Sequence, residues 1–288
     1  MKKFDRRRKY YMILDCETAT LPCAASYEGN KKQAVSIAKP LIYDLGWTIT
    51  DRQGRIYEKK NFLISEIFSV PSIFNTAYYA VKRPLYLEKL KKGEIVLTDW
   101  ATATAEMVES LQHCAAVGAY NSMFDFKKAI PFTELYINKL YSPDFFKWEK
   151  FQNKICDEIA NGQRRESKKD SDPCAFSFRG QKYDLFDLWG LSCSHILDCD
   201  EYRQMCCENE WKTQSGKYFK TSAETTYRFI KKDFDFEEEH TALGDAEIET
   251  EIFAHIVKKH LSNLEIGIVY FPFRILGTVE NFKGRVSL

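Results

Sequence analysis

The sequence predicts an α/β fold with a mixed sheet and helices on both faces. Three observations support this prediction. The apolar run YYMIL that precedes Asp15 is typical of a buried strand. Two further strands are predicted at 41–50 and 56–65, and the DRQG turn between them indicates an antiparallel hairpin. Downstream, predicted helices alternate with short apolar strands, an order that gives parallel neighbours in a sheet.

The elements after the hairpin follow from local patterns. Residues 71–93 are interpreted as an inserted helical segment, and 102–114 as a helix that leads into the short strand AAVGAYN. Another helix begins at Asp125 and is interrupted by Pro131. Residues 145–182 are basic and rich in Gly, Ser, Asp and Pro near their end, so we interpret them as an insertion or a mobile loop.

The C-terminal half completes the predicted domain. Residues 183–191 have strand or buried-helix character, and the last predicted helix covers about 243–260. We therefore expect one domain followed by a tail. In residue numbers, the domain is 1–260 with insertions at about 66–100 and 141–182, and the tail is 261–288.

Composition excludes several classes of protein. Of the 288 residues, 44% are hydrophobic, which is too high a share for a disordered chain. No apolar run approaches the ~20 residues that span a bilayer, so a membrane-spanning protein and a membrane partner are not expected. The first apolar run is too short for a secretion signal. Nine cysteines without such a signal indicate reduced thiols, hence a cytoplasmic protein.

Local charge is more informative than the net charge of +1. Residues 2–9 and 147–182 are basic, whereas the segments FDFEEEH and GDAEIETE are acidic. Basic flanks around an acidic centre suit a metal site that acts on a polyanion. Solvated surface is the alternative interpretation of each charged run.

Asp15 and Glu17 are the first candidate site residues. They end an apolar strand, where residues i and i+2 share a face about 6.6 Å apart. Two carboxylates this close repel each other unless they are protonated or bind a cation. Oxygen ligands suit the hard ions Mg²⁺ and Mn²⁺. A polar strand end is the structural alternative.

Two further elements add acidic residues and one histidine. Asp125 follows a short strand and opens a helix, where the helix dipole favours a carboxylate. His240 and Asp245 are five residues apart, so on one helix they would not share a face. They converge only if His240 lies in the loop before the helix and Asp245 in its first turn.

Together these elements resemble the DEDDh branch of the DEDD superfamily of 3′→5′ exonucleases. The motifs are Asp15-Cys16-Glu17-Thr18, then Asn121 to Asp125, then His240 with Asp245. The resemblance implies an RNase H-like fold with a mixed five-stranded sheet and inserted helical or loop segments. It also suggests a stand-alone bacterial or phage member of the branch.

Two departures from the family pattern affect 3′-end binding rather than the acidic set. Thr20 stands where the family commonly has Gly, and Tyr120 precedes Asn121 where the family often has His. The sister branch is marked by a Tyr four residues before the last Asp, and that position is Thr241 here. The resemblance to the DEDDh branch therefore retains all four acids and the histidine.

The resemblance implies a two-metal mechanism. Asp15, Glu17, Asp125 and Asp245 would hold two Mg²⁺ or Mn²⁺ ions, and His240 would be the general base. The expected reaction releases nucleoside 5′-monophosphates from the 3′ end of single-stranded nucleic acid, with DNA favoured. A mobile loop carrying His240 would make catalysis depend on ordering by substrate.

The resemblance also implies substrate contacts. Backbone groups near Thr18 and Ala19 would approach the terminal 3′-hydroxyl, and Leu21 would wedge between the terminal bases. Asn121 and Phe124 would line the nucleotide pocket. The expected partners are a single-stranded DNA or RNA 3′ end and a polymerase or other replication protein.

Three alternatives remain beside this interpretation. The first is an exoribonuclease that trims RNA, because the chemistry at the phosphate is the same. The second is a catalytically silent binding scaffold with the same fold. The third concerns a zinc site, although the spacing matches no common zinc finger. Its candidate ligands are Cys193, His195, Cys199, Cys206 and Cys207.

Overall fold

A seven-stranded mixed sheet forms the centre of the protein. The structure is a computed structural model, and it describes residues 4–5, 8–21, 39–160 and 172–286. The strands are β1 (Tyr10–Thr20), β2 (Pro40–Thr50), β3 (Ile56–Ile64), β4 (Val96–Thr98), β5 (Cys114–Ala119), β6 (Ala175–Phe178) and β7 (Gln181–Asp187). Their order across the sheet is β4-β3-β2-β1-β5-β7-β6.

The predicted α/β fold with a mixed sheet is confirmed, but the predicted number of five strands is wrong. The central strands β3-β2-β1-β5-β7 are consistent with an RNase H-like sheet, with β1 antiparallel to β2 and parallel to β5. Each edge carries one more strand. β4 pairs parallel with β3, and β6 pairs antiparallel with β7. β4 is too short to show an alternating pattern, and β6 lies in a stretch whose composition suggested a loop.

Helices cover both faces of the sheet. They are α1 (Ser65–Phe68), α2 (Pro71–Phe74), α3 (Arg83–Lys92), α4 (Trp100–Leu111), α5 (Ser122–Phe124), α6 (Ile130–Leu140), α7 (Phe145–Ala160), α8 (Leu188–Ser192), α9 (Asp200–Glu208), α10 (Ala223–Lys231), α11 (Ala242–Lys259) and α12 (Val279–Val286). Two π-helical turns, Asp125–Ala129 and Cys193–Leu197, follow α5 and α8, and the 3₁₀ turns are Ala80–Lys82 and Pro272–Leu276. None of the helices in the described ranges combines the length with the apolar composition that a membrane span requires.

The predicted helix at 102–114 begins two residues earlier and ends earlier than expected. The Asp99 side chain accepts a hydrogen bond from the Thr102 N–H at 2.7 Å and so caps α4. The predicted interruption at Pro131 is wrong, because the chain stays helical through this residue. α6 begins at Ile130 with Pro131 in its first turn, where the missing N–H costs nothing, and the π-helical turn precedes it.

Of the two interpretations of 145–182, the loop is wrong for most of that range, whereas the insertion stays a prediction. Residues 145–160 form α7, whose Phe145 and Trp148 pack against Tyr136 of α6. The lysines between these aromatic residues obscured the helical pattern in the sequence. Residues 175–187 form the β6–β7 hairpin. The remaining part of the predicted loop, 161–171, lies outside the described residues.

Alternation along β1 builds a core on each side of the sheet. Met12 and Leu14 pack with α4 and α6, whereas Tyr11 and Ile13 pack with α8 and α11. The segment predicted as a C-terminal tail contributes to the second of these cores. Its buried side chains are Leu276, Val279 and Phe282.

Candidate functional site

Asp15 and Glu17 extend the face of β1 that packs against α11. On that face, the Tyr11 ring lies 5.0 Å from the ring of Phe253 in α11. Asp15 and Glu17 follow at two-residue intervals and are half-buried. The pairing with β2 shifts by one residue directly after Glu17, which is a β-bulge. Bulges of this kind redirect side chains at the end of a paired segment.

Gly46 brings the N-terminus of α11 onto the sheet. It lies opposite Asp15 in the β1–β2 pairing. A Cβ atom at this position would lie 2.3 Å from the backbone nitrogen of Leu243. Only glycine permits so close an approach. Because Asp245 is in the first turn of α11, this contact carries its carboxylate to Glu17.

Glu17, His240 and Asp245 form a compact group. A side-chain oxygen or ring nitrogen from each lies within 4.8 Å of those of the other two. His240 lies in the loop before α11 and Asp245 inside the helix, as their spacing predicts. The Nδ1 atom of His240 is 3.8 Å from Asp245 Oδ2 and 3.6 Å from Glu238 Oε2. The histidine is therefore placed among three carboxylates.

Asp125 reaches the site from the other helical layer. It begins the π-helical turn after α5 and is buried. Its Oδ1 atom accepts a hydrogen bond from the thiol of Cys16 at 3.0 Å. Burial raises the pKa of Asp125 to about 7, while this hydrogen bond acts in the opposite direction. Asp125 is also close enough to repel the carboxylates of Asp15 and Glu17.

Burial and mutual repulsion make the acidic cluster resist ionisation. Burial raises the pKa of Asp15 well above its usual range, and repulsion from Glu249, Asp125 and Asp245 adds to it. Burial likewise raises the pKa of Glu17, with repulsion from Asp245 next in size. Like charges held this close require protons or a cation.

Glu249 is a member of the cluster that sequence reasoning missed. It lies one helical turn after Asp245 and is buried, and its Oε2 atom accepts the backbone N–H of Tyr120 at 3.0 Å. The i, i+4 spacing from Asp245 is a signal that both face the same side of α11. That signal is weak in the sequence because Glu247 and Glu251 flank Glu249.

The donor atoms of this cluster fit a hard divalent cation. Within the described chain, Oδ1 of Asp245 and Oε1 of Glu238 are buried and accept no hydrogen bond. Burial and repulsion from Asp245 raise the pKa of Glu238 to about 7. Buried oxygens without a donor are costly unless a ligand satisfies them. Carboxylate oxygens are the preferred ligands of Mg²⁺ and Mn²⁺.

The residues predicted to bind substrate have unequal exposure. Asn121 is exposed, and its backbone carbonyl oxygen accepts a hydrogen bond from the backbone N–H of Phe124 at 2.7 Å. Thr18 and Phe124 are half-buried. Ala19 and Leu21 are fully buried, and Leu21 packs in the core on the α4 and α6 side. Their roles in substrate binding stay predictions.

The cysteine-rich segment has no comparable arrangement. Within 4–5, 8–21, 39–160 and 172–286, Glu17, His240 and Asp245 are the one group of three or more potential ligands that could hold a metal. Cys193 and Cys206 are buried in the apolar core beside α11. Burial raises the pKa of each of these two thiols to about 12, which opposes thiolate formation.

Comparisons with known proteins return no relative. No family model, no curated protein and no solved structure matches this chain.

Proposed function

We propose that this protein is a metal-dependent 3′→5′ exonuclease that releases nucleoside 5′-monophosphates from single-stranded nucleic acid, with DNA favoured. The observation that carries the proposal is the approach of Glu17, His240 and Asp245 to within 4.8 Å. Glu17 belongs to the first motif and His240 with Asp245 to the last, so the fold brings together two motifs that are far apart in sequence. A surface that is merely acidic would not place a histidine among these carboxylates.

Asp15, Glu17, Asp125 and Asp245 would hold the metal, as two Mg²⁺ or Mn²⁺ ions. When bound, divalent ions neutralise charge at the scissile phosphate and acidify water. The raised pKa values of Asp15 and Glu17 support this role, because a cation removes the repulsion that raises them. Oδ1 of Asp245, which is buried and accepts no hydrogen bond from the described residues, would be one of these oxygen ligands.

His240 is proposed as the general base. Its side chain is 30% exposed, so a water molecule can reach the ring. Carboxylates of Glu238 and Asp245 lie near Nδ1. Nδ1 therefore faces these carboxylates, and Nε2 is proposed as the acceptor for a proton from the attacking water. General bases of this kind typically contribute about 10²–10⁴-fold to a rate.

The surface of α7 supports binding of a longer strand. It borders an open cavity of about 530 Å³ lined by lysines, by the exposed ring of Phe151 and by the half-buried ring of Trp148. Lysines bind phosphates, and aromatic rings stack on bases without sequence preference. The lining residues are Asp144, Lys147, Trp148, Lys150, Phe151 and Lys154. The basic stretch predicted at 2–9 is described only at residues 4–5 and 8–9.

The proposed location is the cytoplasm, and the proposed partner is a nucleic-acid 3′ end, with or without a polymerase or other replication protein. The cysteines whose side chains the structure describes are all free thiols. Free thiols are typical of a reducing compartment.

A gel time course of labelled single-stranded oligomers tests the proposal. DNA and RNA, labelled at either end, are incubated with Mg²⁺, Mn²⁺ or EDTA. We expect a metal-dependent ladder that shortens from the 3′ end, and its loss in Asp15→Asn and His240→Ala. Glu280→Gln, at an exposed position outside the cluster, is the matched control.

The two polymers separate the remaining alternatives. Faster cleavage of RNA than of DNA would identify the exoribonuclease. Retained binding without cleavage of either polymer, under all metal conditions, would overturn the nuclease and favour a scaffold.

A further inference from the structure

The ring of Tyr79 stacks on the imidazole of His240. Their centroids are 4.5 Å apart and their planes differ by 15°. Tyr79 lies just before the 3₁₀ turn Ala80–Lys82, within the segment 66–100 that the sequence predicts as an insertion. Nearly parallel rings at this distance restrict rotation of the imidazole about its side-chain bonds. The insertion therefore contacts the proposed base directly.

Two lysines of the same segment hold the residue before His240. Lys82 donates a hydrogen bond to the backbone oxygen of Glu239, and its Nζ lies 4.8 Å from the centre of the Tyr79 ring. Lys89 Nζ is 2.7 Å from Glu239 Oε2. The contact of Lys82 with both residues joins Tyr79 and the His240 loop into one unit.

The backbone at His240 requires support of this kind. His240 has a φ of +51°, in the left-handed region. For a residue with a side chain, this conformation is strained and persists only where surrounding contacts enforce it. The side chain of Glu239, held by Lys89, also accepts the hydroxyl of Thr241 at 2.9 Å. These contacts fix the loop on both sides of His240.

We infer that Tyr79 is a positioning residue that fixes the plane of the His240 ring for proton transfer. The inference rests on the proposed function, because orientation matters only if His240 accepts a proton. Tyr79 acts through His240, and its aromatic face is the part that does so. A phenylalanine at this position retains that face, whereas a leucine of similar bulk does not.

Tyr78 is the matched control residue. It is 84% exposed, and its ring meets Tyr79 edge-on at 4.8 Å and 89°. Removing the Tyr78 ring therefore alters the same surface without removing the stack on His240. Lys89→Met is a second variant, which removes the ion pair with the side chain of Glu239 and leaves Tyr79 in place.

The test combines kinetics with the NMR signals of the His240 ring. In Tyr79→Leu we expect kcat to fall by about 10- to 100-fold, the cost of a misplaced reacting group, while KM stays within about twofold. Tyr79→Phe and Tyr78→Leu should keep the wild-type kcat, and Lys89→Met should lose part of it. The His240 ring protons, assigned with His240→Gln, should lose their upfield ring-current shift in Tyr79→Leu alone.

The outcomes separate this inference from the proposed function. A wild-type protein that cleaves neither polymer overturns the proposed function and the positioning role with it, while the NMR shift still reports the stack. An active wild type with an unchanged kcat in Tyr79→Leu overturns the positioning role only. An equal loss in Tyr79→Phe also overturns it, because the hydroxyl rather than the ring face would then be responsible.

Discussion

Asp44 of β2 accepts a hydrogen bond from the backbone N–H of Ala242, the first residue of α11, at 2.9 Å. Its other oxygen accepts the side-chain amide of Asn61 at 2.6 Å. Thr241, at the N-cap position of α11, makes no capping bond with its own side chain. A strand residue therefore caps this helix and favours the orientation in which Asp245 reaches Glu17.

Asp44→Ala should weaken both stability and cleavage. It leaves the N–H of Ala242 without its acceptor and removes one of two acceptors of the Asn61 amide, which also donates to the Leu45 carbonyl oxygen at 3.3 Å. Each buried donor that stays unsatisfied costs about 1–3 kcal/mol. Urea unfolding measures the stability, and the oligomer assay measures cleavage. Asp99→Ala removes the exposed cap of α4 and is the control. It should lower the free energy of unfolding and leave cleavage unchanged, and equal losses of cleavage would contradict the role of Asp44.

Gly46→Ala should displace the N-terminus of α11. The new Cβ would lie 2.3 Å from the backbone nitrogen of Leu243, so backbone rather than a flexible side chain must move. We expect a lower melting temperature and weaker Mg²⁺ binding by calorimetry. Gly216→Ala is the control, because Gly216 has a φ of +70° and open space around its Cβ position. A Gly46→Ala protein that binds Mg²⁺ as tightly as wild type would contradict this account of the site.

Glu249→Gln should stabilise the metal-free protein. The substitution removes the carboxylate whose repulsion adds most to the effect of burial on the pKa of Asp15. A glutamine oxygen still accepts the backbone N–H of Tyr120. We expect a higher melting temperature in EDTA and a smaller rise on adding Mg²⁺. A lower melting temperature in EDTA would contradict this prediction, because it would show that the charge of Glu249 stabilises the metal-free protein.

Stability without metal should fall as the pH rises through about 7. Burial raises the pKa of Asp125 and of Glu238 to about 7, whereas the carboxyl groups of an unfolded chain have pKa values of about 4. In this range the folded state binds more protons than the unfolded state, so each step up in pH destabilises it. Mg²⁺ competes with those protons and should stabilise the protein more at about pH 8 than at about pH 6. Melting curves in EDTA and in Mg²⁺ measure both effects, and an equal Mg²⁺ effect at the two pH values would refute the assignment.

Local patterns carried much of the fold prediction. The apolar run before Asp15, the DRQG turn and the spacing of His240 to Asp245 each report neighbours along one element, and the structure has the corresponding strand, hairpin and loop–helix boundary. Docking between distant elements leaves no such local signal. The approach of Gly46 to α11 and the stack of Tyr79 on His240 therefore emerged only from the structure.

The acidic site contains residues from the helical layers on both sides of the sheet, so it forms only when both layers have docked. Asp125 arrives with the layer that contains α5 and α6, and Asp245 with α11 on the opposite face. An intermediate in which only one layer has docked therefore lacks either Asp125 or Asp245. During synthesis Asp245 emerges after Asp15, Glu17 and Asp125, so a ribosome-bound nascent protein cannot assemble the acidic cluster until α11 has been released and packed.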